Sequence, residues 1–172
     1  GDNMIIFGID ASTSSTGYSV FEDNILIDHG RLTPKSKEWR DRIMEESLMI
    51  AKLFKQYKPE TLYIEDVPMK PGSKTLEKLG AVQGMILCLC AGYKVNPVFL
   101  LPSVWRRDID MFDGSREGTR REILKEKAIQ KANELFDLDL KWFGPTSKKS
   151  EDDEAEGILI AYSQILKSQN HV

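Results

Sequence analysis

Two acidic residues, far apart in the chain, end apolar runs. Asp10 closes Met4-Ile5-Ile6-Phe7-Gly8-Ile9-Asp10, and Glu65 stands in Leu62-Tyr63-Ile64-Glu65-Asp66. A third acidic group, Asp152, Asp153, Glu154 and Glu156, opens the last helical pattern. A carboxylate at the end of a buried strand is costly to desolvate unless it has a task. Several carboxylates brought together repel unless a cation neutralises them, and oxygen-only ligands suit Mg²⁺ or Mn²⁺. The chemistry favoured is a metal-dependent reaction on phosphate. Taken singly the residues have plainer readings: Asp10 and Glu65 as turn caps, the third group as ordinary charge at a helix N-terminus.

For these sites to act together, the elements between them must carry them to one place. Residues 4–10 read as a buried strand, 16–21 as an alternating one and 25–32 as the third strand of a meander, with small residues turning between Ala11 and Ser15. A helical period follows over 37–57, with Trp39, Ile43, Leu48, Ile50, Leu53, Phe54 and Tyr57 as its apolar stripe, stopped by Lys58-Pro59. A strand is expected at 61–67, a loop over Pro68 to Gly72, a long helix at 73–93 and a strand at 95–101. A short helix then starts at Pro102, with Ser103 or the preceding turn as its cap. A charged helix over 117–136, a polar loop over 137–150 and a last helix over 152–167 complete the chain. A meander followed by strand-helix alternation predicts an α/β sheet with helices on its faces, in which parallel neighbours bring Asp10 and Glu65 into one crevice. In the last helix Asp153 and Glu156, three apart, share a face, and Asp152 with Glu156 fits nearly as well. Ala155, Ile158, Leu159, Tyr162 and Ile165 pack inward.

A chain of 172 residues, 41% hydrophobic and 30% charged, is long enough for one well-buried domain spanning 1–172 and short for two. No apolar stretch approaches the roughly 20 residues of a bilayer span, and no signal pattern precedes the first strand, so a soluble cytoplasmic protein with no membrane partner is expected. Cys88 and Cys90, two apart in one helix, point to different faces and suit neither a disulfide nor zinc. His29 and His171 are isolated. The net charge of −3 argues against indiscriminate coating of nucleic acid, yet residues 67–131 hold twelve Lys/Arg against seven Asp/Glu, so a basic face beside an acidic cleft is expected.

Gly8-Ile9-Asp10-Ala11-Ser12 with Thr16-Gly17-Tyr18, Ile64-Glu65-Asp66-Val67, and Asp153-Glu154-Ala155-Glu156-Gly157-Ile158-Leu159-Ile160-Ala161 resemble the three signature blocks of the RuvC family, Holliday-junction resolvases of the ribonuclease H-like superfamily. The blocks occur in order across nearly the whole chain. The resemblance implies a ribonuclease H-like fold with a five-stranded mixed sheet flanked by helices, a homodimer, and two Mg²⁺ or Mn²⁺ ions per active site. It assigns Asp10, Glu65, Asp153 and Glu156 as the metal-binding catalytic acids, Glu156 standing where aspartate is more usual. Pro68 stands where many relatives place an aromatic that stacks on junction bases, and the accessory lysines of the family have no clean counterpart, which leaves Arg106, Arg107, Arg120 and Arg121 as cationic candidates. The reaction implied is phosphodiester hydrolysis with two ions about 4 Å apart.

Lys70, Ser73, Lys74 and Lys78 follow Glu65 in the loop and first helical turns, where side chains and free N–H groups suit DNA phosphates. Arg116, Arg120, Arg121, Lys125, Lys127 and Lys131 form a second basic stretch, but Glu117, Glu122 and Glu126 interleave with it and intrahelical pairing explains it equally. Trp142-Phe143 suits core packing better than stacking on a base. The helix over 73–93 is apolar around most of its circumference, and Gly80 and Gly84 permit close approach of a second copy. Rival readings are a ribonuclease H-like nuclease acting on hybrids, a non-catalytic nucleic-acid-binding relative, and, because Asp10 to Gly17 also resembles a phosphate-binding turn, a sugar-kinase or actin-like ATPase, for whose second large domain the chain has no room.

Overall fold

A computed structural model describes residues 3–67 and 74–170. Pro68, Lys70, Ser73 and His171 lie outside the described residues. The strands are β1 (Ile5–Asp10), β2 (Thr16–Glu22), β3 (Ile25–Leu32), β4 (Thr61–Glu65) and β5 (Asn96–Leu100), and the helices α1 (Trp39–Tyr57), α2 (Lys74–Tyr93), α3 (Pro102–Asp108), α4 (Arg121–Phe136) and α5 (Asp152–Gln169). The five strands form one sheet in the order β3-β2-β1-β4-β5. The first three pair antiparallel as the meander predicts, while β4 lies parallel to both β1 and β5, so the sheet is mixed.

Side-chain alternation sorts the sheet into two faces. Phe7, Ile9, Val20, Leu62 and Ile64 pack under α1 and α2 with Ile50, Phe54, Val82 and Ile86. Ile6 and Phe21 pack on the opposite side with Trp105 of α3, Leu124 and Ala128 of α4, and Ile158 and Leu159 of α5. Each large apolar side chain so buried contributes roughly 1.5–3 kcal/mol. Helix α1 starts where Glu38 accepts the N–H groups of Arg40 (2.7 Å) and Asp41 (3.1 Å) and stops at Lys58, left-handed at φ 50°, ahead of Pro59.

Helix α5 lies almost directly on β1 and β2 because small residues meet there. A Cβ on Gly8 would stand 2.1 Å from the Gly157 carbonyl oxygen, and one on Gly17 1.8 Å from that of Asp153. Ser19, between them in space, donates to the Gly157 carbonyl at 2.8 Å.

Several expectations shift. Of the two caps expected for α3, the preceding turn supplies it, at Leu101 and through backbone alone, and Ser103 does not, with Pro102 in the first turn. The charged helix is broken, a 3₁₀ turn at Glu117–Thr119 preceding α4. Within the α1 stripe, Leu48 is 75% exposed and Trp39 joins neither core, because the sheet covers a narrower arc than the apolar pattern spans. Trp142 packs against the core while Phe143 is 59% exposed. Against the expectation about apolar length, the 20-residue α2, with mean hydropathy 1.2, is long and apolar enough to cross a membrane, and 17% of its apolar window is buried. Val82, Ile86 and Cys90 face the sheet; Gly80, Gly84, Leu87, Cys88 and Gly92 face away from it.

Candidate active site

Parallel pairing aligns Ile9 with Ile64, so Asp10 and Glu65, the next residues along, leave the sheet at the same edge. Ile9 and Ile64 belong to the face under α1 and α2; Asp10 and Glu65, one position on, face α5. There they meet Glu156 of α5, whose carboxyl stands beside that of Asp10. Burial first, then the charges of Glu156 and Glu65, lift Asp10 well above the ordinary carboxylate range. Burial and then Glu156 push Glu65 up to about 7, while Arg106 and Trp105 pull in the other direction. From α3, the Trp105 indole N–H donates to Glu65 Oε1 at 3.0 Å. Arg106 Nη2 lies 3.3 Å from Glu156 Oε1 and 3.7 Å from Glu65 Oε1, and the buried Arg106 Nε has no hydrogen-bond partner. With that guanidinium between Glu65 and Glu156, no three acidic or histidine side chains among the described residues stand close enough to grip one ion. Asp10, Ala11, Glu65, Asp66 and Val67 line a small cleft with Leu79 and Gln83 of α2, and Gln83 Nε2 donates to the Glu65 carbonyl at 3.3 Å.

The phase of α5 separates the two adjacent aspartates. Asp153 turns toward β2 and β3, where Ser15 donates to its Oδ2 and Arg31 Nε stands 2.8 Å from its Oδ1 as an ion pair rather than an aligned hydrogen bond. Its charge also raises Asp10. Asp152 turns toward α4, 3.6 Å from Lys125 Nζ. Next in line, Glu154 pairs with His29 of β3. The edge strand therefore holds the first turn of α5 at two adjacent residues.

Among the cationic candidates, Arg106 sits inside the acidic group. Arg121 is exposed, and its charge reaches Glu65 and pulls its proton affinity down. Arg120 is exposed and 3.6 Å from Glu122; Arg107 and Lys74 are exposed. Lys78 lies over the Trp39 ring. A larger open hollow lined by Lys55, Lys58, Glu60, Tyr93 and Lys94 opens at the other end of the sheet, where β4 begins.

Reading the sequence misses Ser15, Arg31, Trp105 as the Glu65 donor, and Glu46. The last is a fully buried carboxyl of α1 below the turn that follows Asp10. Thr16 Oγ1 lies 2.8 Å from Glu46 Oε1 and 3.1 Å from the Ser12 carbonyl, yet a hydroxyl has one proton for two acceptors. Only a protonated Glu46, donating to Thr16 while Thr16 donates to Ser12, satisfies all three. Consistently, burial raises its pKa from 4.5 to about 7, against opposing effects of Thr16 and Arg42. The folded state thus keeps a proton that the unfolded chain loses above about pH 4.5, so stability falls between pH 4.5 and 7 and is flat beyond. Glu46→Gln, which keeps a donor in place, is expected to stabilise the protein by on the order of 3 kcal/mol at pH 8 and hardly at all at pH 4.5. Calorimetric melting across that range checks it, and a pH-independent difference between the two proteins refutes it.

Residues 6–104 match the family profile described as crossover junction endodeoxyribonuclease RuvC. The chain is 25% identical over 109 residues to the protein of that name from Nitratidesulfovibrio vulgaris, covering 61% of this chain and 66% of the relative. It is 30% identical over 86 residues to that of Citrifermentans bemidjiense, covering 47% and 52%. The match to the Rickettsia akari protein, 26% over 166 residues, covers 93% and 96%. The chain thus spans less than two thirds of the length of some relatives and nearly all of another. Among solved structures, Thermus thermophilus RuvC in complex with Holliday junction substrate superposes with a TM-score of 0.71 at 14% identity, covering 97% of this chain and 96% of that one. The yeast mitochondrial Holliday junction resolvase Ydc2 gives 0.61 at 15%, covering 98% and 82%. These likenesses establish the fold: a ribonuclease H-like mixed sheet flanked by helices.

Proposed function

The chain belongs to the RuvC family, and on that footing we propose that it is a divalent-metal-dependent endodeoxyribonuclease that resolves four-way DNA junctions by phosphodiester hydrolysis. The observation carrying this reading is the gathering of Asp10, Glu65 and Glu156 at one sheet edge, where Glu156 raises the proton affinity of both Asp10 and Glu65. The donors are all oxygen, and repulsion of this kind is what a hard dication relieves, so the donor chemistry suits Mg²⁺ or Mn²⁺, for which the side chains must draw together from where they stand around Arg106. Asp10, Glu65, Asp153 and Glu156 would hold two such ions, whose chemistry when bound is to activate water and to stabilise charge on the departing 3′ oxygen. Trp105 fixes the Glu65 carboxylate, and Ser15 with Arg31 fixes that of Asp153. Arg106 balances Glu65 and Glu156, and the scissile phosphate offers it a second anionic partner. Lys74, Lys78, Arg107, Arg120 and Arg121, with Lys70 and Ser73, contact phosphates of the junction arms on cytoplasmic DNA.

Cleavage assays on four-way junctions, flaps, duplexes and RNA–DNA hybrids with Mg²⁺ or Mn²⁺ test the reading. Paired nicks in the junction and little cutting of duplex are expected; preference for the hybrid, or no cutting of any substrate, overturns it.

The outward side of α2 receives a second copy of the chain, giving a homodimer that places two sites on opposed strands. Anchoring of α2 in the core through Val82, Ile86 and Cys90 favours a protein partner over lipid on that side. A Cβ added at Gly80, Gly84 or Gly92 meets nothing within this chain, so the space above these glycines is open to a neighbouring helix. Gly84→Trp therefore spares the folded subunit while filling the interface, and is expected to weaken dimerisation by at least about 100-fold, roughly 3 kcal/mol. Sedimentation reads the outcome, and a variant that stays as dimeric as the parent removes α2 from the contact.

A further inference from the structure

Of the three tryptophans, Trp39 alone joins neither core. Trp105 is fully buried and Trp142 packs against the same core, whereas Trp39, the first residue of α1, is half-buried and carries cations instead. The Arg40 guanidinium carbon stands 4.3 Å from its ring centroid and Lys78 Nζ 5.9 Å. Glu38 holds one arm of Arg40 at 3.4 Å and leaves it against the indole.

Topology puts this cluster beside the acidic cleft. Helix α1 runs toward the start of β4 and α2 runs away from its end, so the first turns of both helices lie at the sheet edge where Asp10 and Glu65 emerge. Arg42, three residues after Trp39, ties α1 to the turn that follows Asp10 by donating from Nε to the Thr13 carbonyl at 2.9 Å. On the other side, Lys78 directly precedes Leu79, which lines the cleft together with Gln83.

The geometry points to Trp39 as a stacking platform for an unpaired base of branched DNA, with Arg40 and Lys78 on the phosphates flanking that base; this rests on the nuclease reading above. Every base offers a π-face to an indole, and a cation now over the Trp39 ring, displaced when a base takes that face, is placed to move onto the adjoining backbone phosphate. A perfectly paired duplex keeps its base faces covered, whereas a branch point exposes them, so the contact favours branched over linear DNA.

Fluorescence anisotropy with a labelled four-way junction and a duplex of equal length, in Ca²⁺ to suppress cleavage, tests the proposal on the full chain. Stacking on an aromatic is worth roughly 1–3 kcal/mol per base, so Trp39→Ala is expected to weaken junction binding by about 5- to 150-fold and duplex binding by less than about twofold. Trp39→Phe keeps most of the affinity and Trp39→Leu does not, which separates stacking from packing. Junction titration quenches tryptophan emission in the parent, and Trp39→Phe loses that quenching. Parent-like junction affinity in a folded Trp39→Ala, or equal losses on junction and duplex, overturns the stacking role and leaves the nuclease reading standing. A parent protein that binds no branched DNA overturns both.

Discussion

Asp10→Asn lowers cleavage of a four-way junction by at least about a thousandfold, the equivalent of roughly 4 kcal/mol of transition-state stabilisation, while junction binding stays measurable. The expectation follows from the place of Asp10 at the centre of the acidic group, where it feels the charges of Glu156, Glu65 and Asp153. The amide is nearly the same size, so the strand and its packing survive; what disappears is the negative charge that a dication needs. Loss of one acid also relieves repulsion among the rest, so the variant is expected to melt no lower than the parent in the absence of metal. Single-turnover cleavage, anisotropy and melting curves on the same preparation read all three quantities. Turnover within tenfold of the parent removes Asp10 from the chemistry.

Gly17→Ala is expected to cost roughly 3 kcal/mol or more of stability, a fall of about 6–12 °C in melting temperature for a domain of this size, and at least about 100-fold in cleavage. The added methyl would stand 1.8 Å from the Asp153 carbonyl oxygen and 2.1 Å from its carbon. Both are backbone atoms, so no rotamer change relieves the clash and the first turn of α5 must lift off the sheet. That turn carries Asp153, and Glu156 follows within a turn; a displacement of about 1 Å at a reacting group is enough for the loss in rate. Parent-like melting and cleavage in this variant would mean that α5 does not rest on Gly17.

The elements of the sheet are legible in the chain because their signal is local. The apolar run before Asp10, the alternation over Thr16 to Phe21 and the break at Lys58-Pro59 each mark an element, with ends displaced by a residue or two at β4 and β5. The convergence of Asp10, Glu65 and the start of α5 is legible too, since parallel strands with acids at their C-terminal ends leave few other arrangements. What holds those acids is not. Ser15 and Asp153 are 138 residues apart, and so are Ser19 and Gly157. Nothing in the pattern around Arg31 distinguishes an arginine paired with Asp153 from one facing water. Glu46 lies outside the expected apolar stripe and is buried; Trp39 belongs to that stripe and joins neither core. Both reversals have one cause: the arc of a helix that meets the sheet is set by the helices beside it, which the period of a single segment cannot report.

The pairing of the first strand with the final helix has a consequence for biosynthesis. Polypeptides are made from the N-terminus, and the ribosome releases every strand of the sheet before residues 152–169 exist. Until the concluding helix is translated and settles over Gly8 and Gly17, Asp10 and Glu65 lack their partners from it. On the nuclease reading, a nascent chain still lacking α5 lacks Asp153 and Glu156 and cannot yet assemble the acidic group.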